Sequence, residues 1–180
     1  MGDEDLVTRA AAFAEDAHRG QVRKWTGEPY FNHLKIVAAL VGAAPTATPE
    51  AVAAAYLHDV LEDTAVTDEV VCKAFGLTVA DIVLDVSTGL ILPGAPRTDR
   101  VAAIRFHLQE VSPAAKTVKL ADIIDNVSTV VKRAPRFARV YVREKDAVLG
   151  SLEGGDVMLW RMARRVVDKA MLQLAAYGDG

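Results

Sequence analysis

The sequence predicts an all-α fold built as one domain. Apolar residues recur at spacings of three and four along most of the 180-residue chain, which is the period of an amphipathic helix. These segments are separated by residues typical of helix ends, and no segment alternates apolar and polar residues as a half-buried strand does. The length suits a single hydrophobic core, so we expect one domain over residues 1–180.

The first three helices are marked by signals at their ends. Asp3 is expected to cap the first helix, and Gly20 is expected to end it in the left-handed conformation that glycine tolerates. Residues 20–31 are predicted to form a polar loop. The second helix is predicted over residues 32–41 and the third over residues 48–62, where a threonine cap precedes a proline.

Shorter helices and a loop are predicted for the middle of the chain. The helices cover residues 67–76 and 78–87, with Thr78 as the cap of the second. Residues 89–97 contain two glycines and two prolines, which predicts a mobile loop. The later helices are predicted over residues 99–111, 113–132, 136–149 and 156–174. An apolar stripe in the C-terminal part predicts packing within the domain or in a homodimer, and consists of Val140, Val148, Leu152, Leu159, Met162, Val166 and Leu174.

The composition excludes several classes of protein. With 51% hydrophobic residues, 25% charged residues and a net charge of −3, the chain lacks the basic surface of a nucleic-acid-binding domain, and no such partner is expected. The longest apolar stretches, residues 36–44 and 51–57, are shorter than the roughly 18–20 residues that cross a bilayer. The first residues have no signal-peptide pattern, so we expect a cytoplasmic protein that does not enter a membrane.

Residues 56–64 carry the strongest chemical signal. A histidine and three acids, His58, Asp59, Glu62 and Asp63, crowd the end of an alanine-rich apolar helix. Charges at such a place are costly unless a cation neutralises them. A metal ion would do so, since His58 and Asp59 can bind one ion while Glu62 and Asp63 lie one turn further along the helix.

Two other segments supply candidate ligands for the same ion. His33 opens the second helix, and Asp122 lies within a long helix among apolar neighbours, one turn before Asn126. A carboxylate surrounded by apolar residues requires a metal ion, a salt bridge or a role as a helix cap to offset its loss of hydration. Two imidazoles and two carboxylates form a mixed shell that suits Mn, Fe, Co or Zn better than Ca.

Four short motifs then identify a family. They are AHRGQVRK at residues 17–24, GEPY at 27–30, HDVLEDT at 58–64 and KLAD at 119–122, followed by Asn126. In this order they resemble the HD-domain metal-dependent phosphohydrolases. The resemblance is narrower to the hydrolase domain of the Rel/SpoT alarmone enzymes and to the stand-alone small alarmone hydrolases.

This resemblance implies a fold, a metal and a reaction. The fold is an HD-type helical bundle whose motif-bearing part covers about residues 10–132, with the helices of residues 136–174 packed on it. The metal, usually manganese, would be held by His33, His58, Asp59 and Asp122. The reaction is hydrolysis of the 3′-pyrophosphate of guanosine tetra- or pentaphosphate, the alarmone of the stringent response, without a synthetase in the same chain.

The resemblance also implies roles for individual side chains. Glu62 and Asp63 match the catalytic acids. Arg23 matches the arginine that packs against guanine, and Asn126 and Thr129 match residues at the nucleotide. The basic side chains Arg23, Lys24 and Lys119 are further candidates for phosphate contact, since phosphoryl transfer builds negative charge on oxygen.

Three positions depart from the family pattern. Ile123 stands where Rel proteins usually have arginine or lysine, Trp25 is an additional residue before GEPY, and Leu34 replaces the proline that usually follows the histidine. The predicted metal ligands are intact, whereas the loop that reads the substrate is altered. Two alternatives therefore stay open: a phosphohydrolase acting on another nucleotide, such as a nucleoside monophosphate or the 2′-phosphate of NADPH, and a nucleotide-binding regulatory module without turnover.

Overall fold

The structure is a computed structural model that describes residues 3–176, with side chains from residue 5 onward. The described residues form α-helices joined by short connections and contain no β-strand, which confirms the all-α prediction. The helices are α1 (Asp3–Ala17), α2 (Phe31–Gly42), α3 (Pro49–Leu57), α4 (Val60–Asp63), α5 (Asp68–Phe75), α6 (Leu77–Val86), α7 (Arg97–Glu110), α8 (Pro113–Arg133), α9 (Pro135–Leu149) and α10 (Val157–Ala176). Two 3₁₀ turns cover Thr88–Leu90 and Gly150–Leu152. None of the described helices is long and apolar enough to cross a membrane.

The long helix α8 is the centre of the bundle. Helices α2, α3, α6, α9 and α10 all pack against it. Leu120, Ile123 and Val127 on α8 have no exposed surface, and burial of each such side chain stabilises the fold by about 1.5–3 kcal/mol. Because α8 is surrounded on most sides, polar residues on it are buried with the apolar ones, and they need partners.

Most of the predicted helix ends are observed. The side chains of Thr48 and Ser112 accept hydrogen bonds from the backbone of Ala51 and Ala115, as capping residues do. Gly20 follows α1 with a φ of +79°, which the sequence predicted from its place after the helix. The cap expected at Asp3 involves a side chain outside the described ones.

Two predicted helix boundaries are wrong. The helix expected over residues 48–62 is divided, because α3 ends at Leu57 and α4 begins at Val60. The apolar pattern runs across this break without interruption, so periodicity could not reveal it. The cap predicted at Thr78 is also absent, since α6 already begins at Leu77 after a glycine with a φ of +89°.

Candidate metal centre

The structure brings the four predicted metal ligands together. His33 lies in the first turn of α2, Asp122 in the middle of α8, and the pair His58 and Asp59 between α3 and α4. Nε2 of His33 lies 3.6 Å from Asp59 Oδ2 and 3.5 Å from Asp122 Oδ1. Nε2 of His58 lies 3.0 and 3.8 Å from the same two oxygens. The break between α3 and α4 places two consecutive candidate ligands, His58 and Asp59, at one point.

Hydrogen bonds on the far side of each imidazole determine its tautomer. Nδ1 of His58 donates to the carbonyl oxygen of Ala55 at 2.9 Å, and Nδ1 of His33 donates to Asp125 Oδ2 at 2.7 Å. In each neutral ring the Nε2 lone pair then faces the carboxylates. Nε2 of His58 is buried and has no hydrogen-bond partner, as expected for a nitrogen oriented toward a cation. These residues fit a divalent metal ion.

The charges of the cluster support the same conclusion. Burial opposes a positive charge on His58, but the carboxylates of Asp59 and Asp122 outweigh it and raise its pKa to about 10. Burial also opposes ionisation of Asp59, yet His58 holds the pKa of this carboxyl below its usual range. The buried acids therefore stabilise positive charge on the imidazoles beside them. A divalent cation bound to neutral imidazoles would supply that charge instead.

A surrounding set of side chains orients the ligands. The hydroxyl of Tyr30 donates to Asp59 Oδ2 at 2.7 Å. On α8, Asn126 donates to Asp122 Oδ1, while Nζ of Lys119 forms an ion pair with Asp122 Oδ2 at 3.2 Å. A neighbouring side chain therefore orients each of the two candidate carboxylate ligands, so these side chains lose less freedom when an ion binds.

The two candidate catalytic acids lie beside this centre. Glu62 Oε1 accepts a hydrogen bond from the backbone N–H of Gly89 at 2.8 Å, which ties α4 to the 3₁₀ turn after α6. Burial raises the pKa of Glu62, and the charge of Lys119 offsets this only in part. Burial and the charge of Asp59 also raise the pKa of Asp63. Both carboxyls are thus better proton acceptors than ordinary acids.

A cavity of about 500 Å³ opens from the centre and has the size of a small-molecule site. Asp59, Glu62, Asp63 and Asp122 form the part of its lining that belongs to or adjoins the metal centre, its reacting end. Its other walls come from the turn after α6, from α7, from α8 and from α9, and include Thr88, Gly89, Arg97, Arg100, Ile104, Lys119, Ile123, Asn126, Phe137, Tyr141, Glu144 and Lys145.

Three of the predicted nucleotide contacts form one group. Arg23 donates to Asp125 Oδ2 at 2.6 Å and to Asn126 Oδ1 at 2.7 Å, and it lies 3.5 Å from the hydroxyl of Thr129. This arginine stands in a short hairpin in which Val22 pairs with Pro29. Of the predicted contacts, Asn126 and Lys119 line the cavity.

Lys24 is placed differently. Its side chain is exposed, and Nζ lies 4.8 Å from the ring centroid of Trp25. The Trp25 ring contacts Phe137 on α9, and Phe137 contacts Tyr141, with 5.5 Å between centroids in each pair. The residue that interrupts the family motif therefore connects the hairpin to the cavity wall.

Sequence reasoning missed Asp125 as a functional residue. Its carboxylate accepts hydrogen bonds from both the candidate ligand His33 and Arg23, so it joins the candidate metal centre to the predicted nucleotide contact. A signal for it existed, because Asp125 lies three residues after Asp122 and so shares a face of a buried helix with it. Tyr30 belongs to the GEPY motif, but the motif predicts no role for its hydroxyl.

Comparisons with known proteins identify relatives of this chain. A family model described as HD domain matches residues 10–152. The chain is 36% identical over 135 residues to a Xenopus tropicalis protein named guanosine-3′,5′-bis(diphosphate) 3′-pyrophosphohydrolase MESH1, and the match covers 74% of each chain. A Haemophilus influenzae guanosine-3′,5′-bis(diphosphate) 3′-pyrophosphohydrolase is 50% identical over 134 residues, which cover 73% of this chain and 20% of that protein.

Other relatives are also much longer. A probable GTP diphosphokinase RSH3 of Arabidopsis thaliana is 34% identical over 146 residues, and the chain spans about a fifth of its length. Among solved structures, one reported as a metazoan ortholog of SpoT that hydrolyses ppGpp superposes with a TM-score of 0.81 at 26% identity, covering 91% of this chain and 94% of that one. The family model and the relatives show that this chain belongs to the HD domain family, as its four motifs predicted.

Proposed function

We propose that the protein is a metal-dependent hydrolase that releases pyrophosphate from the 3′ position of guanosine tetra- or pentaphosphate. The observation that carries this proposal is the arrangement of two imidazole Nε2 atoms facing two carboxylates beside two further acids with raised pKa values. Relatives named for this reaction match three quarters of the chain and support the choice of substrate.

In the proposed site His33, His58, Asp59 and Asp122 hold the ion. When bound, a divalent metal lowers the pKa of water toward neutrality and stabilises negative charge on phosphate oxygens. We assign manganese as this metal because the resemblance to the Rel/SpoT hydrolases implies it. Asp125 orients His33, while Tyr30 and Lys119 orient the two aspartates.

Glu62 and Asp63 move the protons of the reaction in this proposal. Hydrolysis forms a bond from water oxygen to phosphorus and breaks the bond from phosphorus to the 3′ oxygen. Glu62, held by the N–H of Gly89, accepts the proton that water loses. Asp63, whose pKa is also raised, is the second proton carrier and donates a proton to the departing 3′ oxygen.

The nucleotide contacts are proposed for Arg23, Asn126 and Thr129, which the structure joins in one group. Lys119 lines the cavity and reaches the reacting end, although its charge is matched by Asp122. Lys24 lies on the hairpin and would contact the phosphate groups of the nucleotide that lie away from the metal centre. We also propose that the chain works as a single domain in the cytoplasm, with no nucleic-acid partner. Val148, Leu152, Leu159 and Leu174 of the C-terminal apolar stripe are buried within the chain, so a homodimer would use its exposed members, Val140 and Met162.

Product analysis tests this function. Purified protein with Mn²⁺ and guanosine tetraphosphate is expected to yield GDP and pyrophosphate, and Glu62→Gln protein is the matched control for contaminating hydrolases. A parallel screen with nucleoside monophosphates and NADPH separates the other substrates. Orthophosphate release from one of those, with guanosine tetraphosphate left intact, would reassign the substrate. Tight nucleotide binding without any product would indicate a regulatory module.

A further inference from the structure

The cavity holds a lysine to which the proposed mechanism gives no role. Four basic side chains line the cavity: Arg97, Arg100, Lys119 and Lys145. Arg97 forms a paired ion contact with Glu144, and Lys119 forms one with Asp122. These two charges are therefore matched by protein carboxylates before any ligand enters.

Like Arg100, Lys145 is not matched in this way by a carboxylate of the described residues. Within the described part of the chain its ammonium makes no hydrogen bond or ion pair, and it lies over the ring of Tyr141, 4.8 Å from Nζ to the centroid. It stands on the cavity-facing stripe of α9, one turn after Tyr141 and three residues before Val148. Lys145 is partly buried, and a partly buried lysine without a carboxylate partner is costly, which indicates that something else supplies the negative charge.

The charge of Lys145 also reaches the reacting end of the cavity. Burial, and then the positive charge of Lys119, lower its pKa, while Asp122 and Glu62 act in the opposite direction. Asp122 and Glu62 line the same cavity as Lys145, which puts the lysine charge within electrostatic range of a candidate metal ligand and of the proposed proton acceptor. Ile123, which also lines the cavity, is fully buried and brings no charge.

We propose that Lys145 binds the pyrophosphate group at the reacting end of the cavity. This rests on the proposed function, since it takes the substrate to be a nucleotide with a pyrophosphate beside the metal centre. An anion bound there pairs with the ammonium of Lys145. The ion pairs of Arg97 with Glu144 and of Lys119 with Asp122 then stay intact. The lysine acts as a point charge reaching over from α9.

The test uses inorganic pyrophosphate as the probe, titrated calorimetrically into metal-loaded protein. Lys145→Met keeps the length of the side chain and removes the charge, and it is expected to weaken pyrophosphate binding by roughly 10- to 100-fold. Lys145→Arg keeps the charge and is expected to retain most of the affinity. Lys35→Met is the matched control, because Lys35 also lies over an aromatic ring, 5.4 Å from that of Phe31, but is exposed and outside the cavity.

Thermal unfolding distinguishes binding from a structural role. Without ligand, Lys145→Met is expected to melt no lower than the wild type, since it removes an unmatched, partly buried charge, and to lose most of the rise in Tm that pyrophosphate gives the wild type. Unchanged pyrophosphate affinity in Lys145→Met, a ligand-free Tm well below the wild type, or a wild type that does not bind pyrophosphate would each overturn the proposal. Lysine-dependent binding without hydrolysis of guanosine tetraphosphate would instead overturn the proposed function and leave this site standing.

Discussion

Replacing Gly89 by alanine tests whether the position of Glu62 is set by the turn after α6. A Cβ built at residue 89 would lie 2.1 Å from Oε2 and 2.6 Å from Cδ of Glu62. Contacts this short do not occur, so the carboxylate must move and give up its 2.8 Å hydrogen bond from the Gly89 N–H. The backbone at Gly89 has no positive φ, so alanine itself adds no strain there.

The expected effect follows from the lost hydrogen bond. A hydrogen bond to a charged group contributes about 1.5–3 kcal/mol, and loss of a positioned acid or base lowers rates by about 10²-fold or more. We therefore expect kcat for pyrophosphate release to fall between roughly 10- and 100-fold in Gly89→Ala, with bound metal unchanged. Gly150→Ala is the matched control, because a Cβ at residue 150 would meet no atom within 4 Å and the φ of Gly150 is not positive.

A double variant makes the test specific. If Gly89 acts through Glu62, then Gly89→Ala should lower the rate of the Glu62→Gln protein little further, since the two changes affect one group. Full activity in Gly89→Ala would refute the reasoning. So would a double variant whose loss equals the product of the two single losses.

Three further variants test other contacts. Asp125→Asn leaves His33 without its charged acceptor and should weaken metal affinity by roughly 10- to 100-fold, measured by competition with a chelating dye. Arg23→Ala should raise KM for the nucleotide more than it lowers kcat, which steady-state kinetics would show. Asp156→Ala removes the acceptor for the N–H groups of Met158 and Leu159 and for Thr46, and should lower the free energy of unfolding by about 1–2 kcal/mol in urea titrations. Although burial raises the pKa of Asp156, these hydrogen bonds lower it overall, so the difference from wild type should be present above pH 4 and shrink as the pH falls below about 4.

The helices could be predicted from sequence, and the candidate ligands could be identified there, because their signals are local. Periodicity and caps marked most helices, and the ligand residues stood in short motifs whose order identifies the family. The break at residues 58 and 59 could not be predicted from periodicity, because the apolar pattern of α3 continues into α4.

Contacts between distant segments were beyond the reach of local patterns. Gly89 and Glu62 are 27 residues apart, and the sequence around Gly89 indicated a loop without indicating what the loop holds. Asp125 and His33 are 92 residues apart. Lys145 reads as a surface charge on an amphipathic helix, and only the packing of α9 beside α8 places it in the cavity.

Metal content tests the central claim most directly. Elemental analysis of protein dialysed against Mn²⁺ should find one bound ion per chain in the wild type and in Glu62→Gln, and almost none in Asp122→Ala. Pyrophosphate release should fall by roughly 10²-fold or more in both variants, because one lacks the ion and the other lacks the proton acceptor. Full metal occupancy in Asp122→Ala, or loss of metal in Glu62→Gln, would contradict the assignment of ligands and acids.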